Sequence, residues 1–362
     1  MAEIVTLTMN PALDVTTATA EIRAGDKLRC TTPRNEAGGG GINVARVVTA
    51  LGGEAIALFP AGGPAGTTLC ELLRGAGVAF TSVPIAGATR ESFTVDETST
   101  GEQYRFVLPG PALTLSEQTA VLDALGRIPV PPGFVVASGT LPLGVGSDFY
   151  ARVGQLCRRM GARLILDSSG EGLAGAAGAC AWLVKPNLLE LESVVGHALA
   201  TDGQQVAAAR GLIASGVAGI VVLSKGAEGV LVVTAEQVEQ VAAVEVPVRS
   251  ATGAGDSTVA GITLGLPRGM SVGMAVRFGI RAGAAAVTTP AGQLRVRLTM
   301  DARRSRRRAR RRLRAAGRGS RAVTLLRGRL MVNVRRKVAR RPGARYGTAR
   351  PSLCPHCHRL GQ

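Results

Sequence analysis

The segment SATGAGDSTVAG, residues 250–261, places a glycine-rich turn and a carboxylate where a helix is predicted to begin. Gly253, Ala254 and Gly255 allow a ligand to approach the main chain, and their amides would lie at the positive end of the helix dipole, which favours a phosphate group. Asp256 would lie beside that group, where a carboxylate can accept a proton from an attacking hydroxyl. The alternative interpretation is an acidic N-cap on a glycine-rich turn.

A second glycine cluster, in EAGGGGINVARVVTALGG from residue 36 to 53, also leads into a predicted helix. Four consecutive glycines cost backbone entropy, which is justified where a ligand must approach the main chain, and Asn43 just beyond them offers a donor and an acceptor. A flexible turn is the alternative interpretation. Neither cluster matches the GxxxxGK[ST] or GxGxxG pattern of the common nucleotide-binding loops.

The remaining composition narrows the chemistry. Residues 1–294 contain a single histidine, His197, which argues against Ser-His-Asp catalysis and against histidine metal sites. Chemistry must therefore depend on carboxylates, amides, Lys, Arg and glycine main chain. Four cysteines without paired spacing predict reduced thiols in a cytoplasmic protein, since no signal peptide and no membrane-spanning apolar run is recognisable: Cys30, Cys70, Cys157 and Cys180.

The elements that must position these residues follow from the hydrophobic pattern. Short β-branched and apolar runs alternate with stretches of helical period, which predicts an α/β fold whose parallel sheet is covered on both faces. Ligands bind beyond the carboxyl ends of such strands. The predicted strands are IVTLTM, AIALFP, FVVASG, RLILDSS, AWLVKPN, GIVVLSKG and GVLVVT, with EVPVR as a strand-like segment before the first glycine motif, and polar or small residues end several of them: Asn10, Ser138, Asp167, Asn187 and Ser224.

Two stretches interrupt the alternation, residues 14–37 and 89–108. The second, TRESFTVDETSTGEQYRFVL, alternates polar and apolar residues around a Ser-Thr-Gly turn, which is typical of a hairpin. Together the two stretches predict a small sheet that stands over the strand ends as a lid.

Four segments in register, TLTMNPALD, AGGGGINVAR, KPNLLEL and ATGAGDS, resemble the PfkB family of carbohydrate kinases over roughly residues 3–294. The resemblance implies a ribokinase-like three-layer α/β/α sandwich with a mainly parallel central sheet and a β-sheet lid. It also implies ATP-dependent phosphorylation of a sugar phosphate. The sequence GGGG at residues 38–41, where relatives acting on fructose 1-phosphate or tagatose 6-phosphate commonly have GGKG, favours phosphorylation of fructose 6-phosphate at its C1 hydroxyl, with those two substrates as alternatives.

The resemblance implies roles for individual residues. Asp256 corresponds to the catalytic base and the amides of Gly253, Ala254 and Gly255 to the anion hole. The positions that correspond to the sugar-phosphate site are Asp14, Lys27, Gly39, Gly40, Asn43 and Arg90. Ser138, the small residue that ends a predicted strand, is assigned to the same site. The positions that correspond to contacts with ATP and with Mg²⁺ and its waters are Lys185, Asn187, Glu190, Ser224, Gly226 and Gly229.

A monovalent-cation loop is implied at four further positions, Ser250, Thr252, Ala286 and Thr289. Ser250 and Ala251 replace the Asp-Thr pair found in much of the family, so the sequence leaves a potassium requirement open. Other charged positions, such as Lys27 and Arg90, also have the alternative interpretation of solvated side chains. The resemblance further implies a homodimer whose lids meet.

The resemblance ends after Leu294, where an Arg-rich segment begins. Residues 295–362 contain 23 of the 43 Lys and Arg residues and one of the 25 acidic residues, so residues 1–294 have a formal charge of about −4. No distributed basic face for nucleic acid is therefore predicted on the kinase domain, residues 1–294. The tail is predicted to be disordered or to be the out-of-frame reading of a GC-rich gene, and the rival hypothesis is a basic appendage that binds nucleic acid non-specifically beside an inactive kinase-like body.

The frameshift hypothesis can be tested by the mass of the native protein. If the reading frame shifts near codon 293, the protein isolated from its natural source differs in intact mass from the 37.1 kDa of the printed sequence, and resequencing the 3′ end of the gene shows the altered frame. An intact mass that matches all 362 residues would contradict it.

Overall fold

The chain alternates strands and helices along most of its described length. The structure is a computed structural model that describes residues 3–250 and 252–288. Its strands are β1 (Ile4–Leu7), β2 (Ala12–Thr19), β3 (Arg34–Gly38), β4 (Ala55–Ala61), β5 (Ala79–Pro84), β6 (Arg90–Glu97), β7 (Gln103–Val107), β8 (Phe134–Ser138), β9 (Arg163–Asp167), β10 (Leu183–Val184), β11 (Val221–Ser224), β12 (Val230–Val233) and β13 (Val238–Val241). Its α-helices are α1 (Gly40–Ala50), α2 (Gly63–Gly75), α3 (Leu115–Gly126), α4 (Phe149–Met160), α5 (Glu171–Ala174), α6 (Leu188–Val195), α7 (Asp202–Ala214), α8 (Ala254–Gly265) and α9 (Val272–Val287).

The central sheet has nine strands in the order β13-β12-β11-β10-β9-β8-β1-β4-β5. Each pair of neighbouring strands in the run β11-β10-β9-β8-β1-β4-β5 is parallel. The pairs β11/β12 and β12/β13 are antiparallel. The parallel strands read as nearly continuous apolar runs because helices cover both faces. The predicted mainly parallel sheet is confirmed.

Alternate residues of each strand pack on opposite faces of this sheet. Phe134 and Val136 of β8 belong to a buried cluster with residues of α1, α2, α8 and α9. Val135 and Ala137 belong to a second buried cluster with residues of α3, α4, α5, α6 and α7. The chain therefore forms the predicted three layers, and the two helices that carry the glycine motifs, α1 and α8, lie in the same layer.

A separate four-stranded sheet, in the order β3-β2-β6-β7, is formed by the two stretches predicted as a lid. Strands β2 and β6 are parallel, whereas β3 and β7 run antiparallel to their neighbours. Gly101, with φ of 76°, lies in the predicted hairpin turn between β6 and β7. Arg90, the first residue of β6, donates to the main-chain oxygen of Asn10 (3.2 Å), so this sheet begins at the carboxyl end of β1.

The prediction of a strand at EVPVR, residues 245–249, was wrong, because the structure has no strand there. Pro247 has no N–H for a sheet ladder, and the side chain of Val248 is exposed. The segment is instead attached to the end of α9, where Arg249 donates its amide to the oxygen of Val287 (2.7 Å). Two short strands near the ends of the sheet, β5 and β13, were not predicted.

The boundary predicted at residue 294 and the Arg-rich segment 295–362 lie outside the described residues. Within residues 3–250 and 252–288, no helix has the length and apolar character that crossing a membrane requires.

Candidate active site

The start of α8 carries the residues of the first glycine motif. Gly253 is the N-cap of α8 and has φ of 77°, a left-handed conformation that glycine adopts without strain. The next amides belong to the first turn, which has no intrahelical acceptors for its N–H groups. Asp256 lies in the same turn. The predicted combination of amide donors and a carboxylate is therefore present at one helix N-terminus.

Asp256 is in contact with the second glycine motif. The Nδ2 atom of Asn43, on α1, donates to Oδ2 of Asp256 at 2.9 Å, across 213 residues of sequence. The pKa of Asp256 is raised to about 6, because burial and the neighbouring carboxylate of Asp167 raise it by more than the Asn43 bond and the ammonium group of Lys185 lower it. Asp256 is thus a carboxylate that ionises close to neutral pH, as a general base requires.

Asp167 and Lys185, whose side chains are 14% and 6% exposed, form an ion pair beside this carboxylate. Lys185 Nζ lies 3.0 Å from Asp167 Oδ1, and Ser138 Oγ donates to Asp167 Oδ2 at 3.2 Å. Burial alone would lower the pKa of Lys185, but the carboxylates of Asp167, Glu190 and Asp256 outweigh it, so the pKa is raised. The sequence pattern marks Asp167 only as the end of a predicted strand, and no role was predicted for it. Its position at the end of a central parallel strand was the available signal.

Two glycines allow an approach of neighbouring groups that a Cβ atom would block or crowd. A Cβ atom on Gly40 would collide with Ser138 Oγ, and one on Gly255 would lie 3.8 Å from Lys185 Nζ. Gly39, with φ of 114°, is the N-cap of α1. Main chain, hydroxyl and ammonium groups therefore converge without intervening side chains, and this donor set fits a phosphorylated ligand.

The lid contributes Asp14 and Arg90 to the same region. Burial raises the pKa of Asp14, which the guanidinium groups of Arg90, Arg105 and Arg46 partly offset. Arg90 donates to the oxygens of Leu108 (3.1 Å) and of Asn10, and its Nε is buried with no partner in the described structure. Burial lowers the pKa of Arg90, against the effect of Asp14.

Two further basic lid residues differ in position. Arg105, on β7, donates to Thr252 Oγ1 (3.5 Å) and so connects the lid to the loop that precedes α8. It was not predicted, because only the pairing of β6 and β7 directs it toward that loop. Lys27 lies exposed on the irregular segment between β2 and β3, and no ion pair joins it to the other candidate residues among those described.

The residues predicted to contact the nucleotide lie around the ends of β10 and β11. Asn187 and Glu190 form a capping box at the start of α6, in which Glu190 Oε2 accepts the amide of Asn187 and Asn187 Oδ1 accepts the amide of Glu190, both at 2.8 Å. Burial raises the pKa of Glu190. Ser224 donates its amide to Pro186 O (2.9 Å), which joins the two strand ends.

Gly226 and Gly229 shape the turn after β11. Gly226, with φ of 60°, begins a 3-10 turn that ends at Glu228, and Gly229 has φ of 93°. A Cβ atom on Gly229 would collide with the main-chain oxygen of Val241 on β13. Packing inside the sheet therefore accounts for Gly229, whether or not a ligand lies beside it.

The segments of the predicted cation loop are adjacent. The amide of Ser250 donates to Val287 O (3.3 Å), and the amide of Thr252 donates to Ser250 Oγ (3.2 Å). Ala286 is buried next to Val287 in the last turn of α9. The fourth predicted residue, Thr289, lies outside the described residues.

Among residues 3–250 and 252–288, no group of three or more His, Cys, Asp and Glu side chains could hold a metal ion. Mg²⁺ in kinase sites is held by one or two carboxylates together with substrate phosphates. The donor set at Asn187 and Glu190 fits that arrangement.

Comparison with known proteins gives this geometry its context. Residues 3–297 match the family described as pfkB family carbohydrate kinase. The chain belongs to the PfkB family of carbohydrate kinases. Its fold is ribokinase-like.

Other PfkB-family proteins resemble the chain over most of their length. The ATP-dependent 6-phosphofructokinase isozyme 2 of Mycobacterium tuberculosis is 51% identical over 263 residues, 73% of this chain and 77% of that protein. The 1-phosphofructokinase of Xanthomonas campestris is 35% identical over 268 residues, 73% and 84% of the two chains. Phosphofructokinase-2 of Escherichia coli in complex with fructose-6-phosphate has a TM-score of 0.74 at 42% identity, covering 80% of this chain and 94% of that one. Its complex with potassium has a TM-score of 0.77 at 41% identity, covering 82% and 95%.

Proposed function

We propose that this protein transfers the terminal phosphoryl group of ATP to the C1 hydroxyl of fructose 6-phosphate, which gives fructose 1,6-bisphosphate and ADP. The observation that carries the proposal is the meeting of Asp256, whose pKa is raised to about 6, with the amides that begin α8. The names of the 51% identical relative and of the Escherichia coli complex support fructose 6-phosphate as the acceptor.

Asp256 accepts the proton of the attacking hydroxyl as its oxygen forms the new bond to phosphorus. The bond between that phosphorus and the leaving oxygen of ADP breaks. Negative charge on the transferring group is stabilised by the amides of Gly253, Ala254 and Gly255 and by the ammonium group of Lys185. Since Asn43 occupies Oδ2 of Asp256, Oδ1 is the atom available for the hydroxyl proton.

The sugar phosphate binds between the lid and the central sheet. Arg90 and Lys27 supply positive charge for its phosphate dianion, because charge-assisted bonds hold such a group most strongly. Asp14 accepts bonds from sugar hydroxyls. The other proposed sugar contacts are Gly39, Gly40, Asn43 and Ser138.

When bound, ATP would supply the phosphoryl group, and Mg²⁺ would neutralise charge on the leaving ADP. Lys185, Asn187 and Ser224 contact the nucleotide, with Gly226 and Gly229 in the adjoining turn. Glu190 orients waters of the metal. A potassium ion is proposed at Ser250, Thr252, Ala286 and Thr289, and the bonds that join Ser250 to Val287 and to Thr252 support it.

The kinase domain is proposed to extend over residues 1–294, with the catalytic site formed entirely within it. A cytoplasmic location is proposed because Cys30, Cys70 and Cys157 are free thiols.

Substrate choice is tested by a coupled assay for ADP with Mg-ATP and three acceptors. We expect the highest kcat/KM for fructose 6-phosphate, with fructose 1-phosphate and tagatose 6-phosphate at least about tenfold lower, a difference of about 1.4 kcal/mol in transition-state binding. A preference for either of the other sugars would replace the proposed substrate. No turnover of any of them, together with salt-sensitive DNA binding by the full chain, would support the nucleic-acid-binding hypothesis.

Asp256→Asn tests the proposed base. Turnover should fall on the order of 10²- to 10⁴-fold, with ATP affinity nearly unchanged. In the unsubstituted protein, kcat/KM should fall as pH decreases through about 6, since Asp256 acts as the carboxylate. Because the pKa of Asp256 is raised from 3.8 to about 6 on folding, ionisation of this group lowers the stability of the folded state as pH rises over that range, and the loss is complete above about 6. Asp256→Asn should therefore not lower the Tm at pH 7.5. Near-normal turnover in Asp256→Asn would exclude Asp256 as the base.

We also propose that two copies associate through their lids. Phe93 and Phe106 are opposite each other on β6 and β7, and both are exposed. Ser92 is opposite Asp14 in the lid sheet, so the side chains of Ser92 and Asp14 share one face. Because successive side chains of a strand point to opposite faces, the ring of Phe93 and that of its partner Phe106 lie on the other face, away from the catalytic groups. Further exposed apolar residues at the lid are Leu28 and Leu108, whereas Val107, also exposed, is opposite Ser92 and so lies on the Asp14 face. Exposed apolar patches of this kind mark association surfaces.

Phe106→Asp is expected to dissociate the dimer, because the substitution places a charge in an apolar interface. Light scattering after size-exclusion chromatography should show a dimer for the unsubstituted chain and a monomer for Phe106→Asp, with affinity weakened at least about 100-fold. Leu115→Asp, at an exposed leucine on α3, is the matched control and should remain dimeric. A Phe106→Asp protein that stays dimeric would contradict the lid interface.

A further inference from the structure

We propose that Arg46 is a positioning residue, which fixes the side-chain amide of Asn43 in the one orientation that donates a hydrogen bond to Asp256. This inference rests on the proposed function, in which Asp256 is the general base. Arg46 is three residues after Asn43 on α1, so the two side chains share a face of the helix.

The guanidinium group of Arg46 is held from three directions. Nη1 donates to Ala37 O at 2.8 Å and to Asn43 Oδ1 at 3.4 Å. Nη2 lies 3.5 Å from Glu36 Oε1, and the exposed fractions of the Arg46 and Glu36 side chains are 19% and 15%. The main chain and Glu36, both preceding α1, therefore hold Arg46 in place against Asn43.

Only one orientation of the Asn43 amide satisfies both of its neighbours. A guanidinium group can only donate hydrogen bonds, and an ionised carboxylate can only accept them. With Oδ1 toward Arg46 and Nδ2 toward Asp256, each contact pairs a donor with an acceptor. A flipped amide would set two donors against each other at Arg46 and two acceptors against each other at Asp256.

The orientation matters because the surroundings of Asp256 are otherwise unfavourable to its ionised form. Asp167 on β9 and Asp14 on β2 both favour the protonated carboxyl, as does burial. Lys185 after β10 and the Asn43 bond favour the carboxylate. Loss of the oriented Asn43 donor would therefore raise the pKa of Asp256 and lower the fraction of the base form near neutral pH.

A double-mutant cycle separates positioning from a direct effect of the Arg46 charge. The pKa of Asp256 is measured by NMR titration of the protein labelled with ¹³C at aspartate carboxyl groups, with Asp256→Asn used for assignment. Arg46→Met and Asn43→Leu should each raise the titration midpoint from about 6 by about one pH unit, the size expected for one hydrogen bond to a charged group. The double variant should titrate like Asn43→Leu alone, because Arg46 acts through Asn43.

Arg46→Lys is the second variant, in case Arg46→Met fails to fold. A single ammonium group keeps the charge but cannot bond Glu36, Ala37 O and Asn43 with the fork of a guanidinium. Its effect should therefore be smaller than that of Arg46→Met and should likewise vanish in the Asn43→Leu background. Arg277→Met is the matched control, since Arg277 also bonds a glutamate, Glu239, and a main-chain oxygen, but on α9. It should leave the titration unchanged.

Activity provides the second measurement. In Arg46→Met the fall of kcat/KM at acidic pH should occur about one pH unit higher than in the unsubstituted protein. Its kcat/KM should therefore be about fivefold lower at pH 6 and nearly unchanged at pH 8. Equal shifts from Arg46→Met in both Asn43 backgrounds, or no shift, would overturn the positioning role. A lost rate at every pH with an unmoved titration would also overturn it. The NMR titration needs no turnover, so a protein that phosphorylates no sugar phosphate would refute the proposed function separately.

Discussion

The structure depends on the placement of two carboxylates, Asp167 and Asp256, in one buried region. The carboxylate of Asp167 raises the pKa of Asp256, and the ammonium group of Lys185, 3.0 Å from Asp167, provides positive charge that lowers it. Buried charges without such partners are strongly destabilising. The strand order β10-β9-β8-β1 is what delivers Lys185, Asp167 and the hydroxyl of Ser138 to one edge, since parallel strands end together.

The helical layer supplies what the sheet cannot. Helices α1 and α8 pack on the same face and both have a glycine as N-cap, so two sets of main-chain amides approach the strand ends without obstruction by Cβ atoms of the N-cap residues. The bond between Asn43 and Asp256 joins these two helix starts. A ligand in the cleft therefore meets groups whose positions are already fixed by packing, which lowers the cost of organising them in the transition state.

Sequence patterns anticipated the parts of this arrangement that are local. The turn at Gly253 and the position of the Asp256 carboxylate could be predicted, because the N-cap and the first turn of a helix are contiguous in sequence. The roles of Asp167, Arg46 and Arg105 were not readable, because each depends on a partner brought near by strand order or by pairing within the lid. The prediction of a strand at residues 245–249 was wrong for the same reason, since an alternating apolar pattern does not reveal whether a neighbouring strand is available for pairing.

The capping box at α6 shows how one pair of side chains can serve both structure and ligand. Asn187 and Glu190 satisfy each other's amides, and each does so with a single side-chain oxygen. Glu190 keeps its second carboxylate oxygen, and Asn187 keeps its NH₂ group, for other partners. The helix start is therefore secured before any nucleotide binds, and the burial that raises the pKa of Glu190 favours the approach of a cation. A metal-bearing ligand that neutralises this carboxylate would add to the stability of the folded chain.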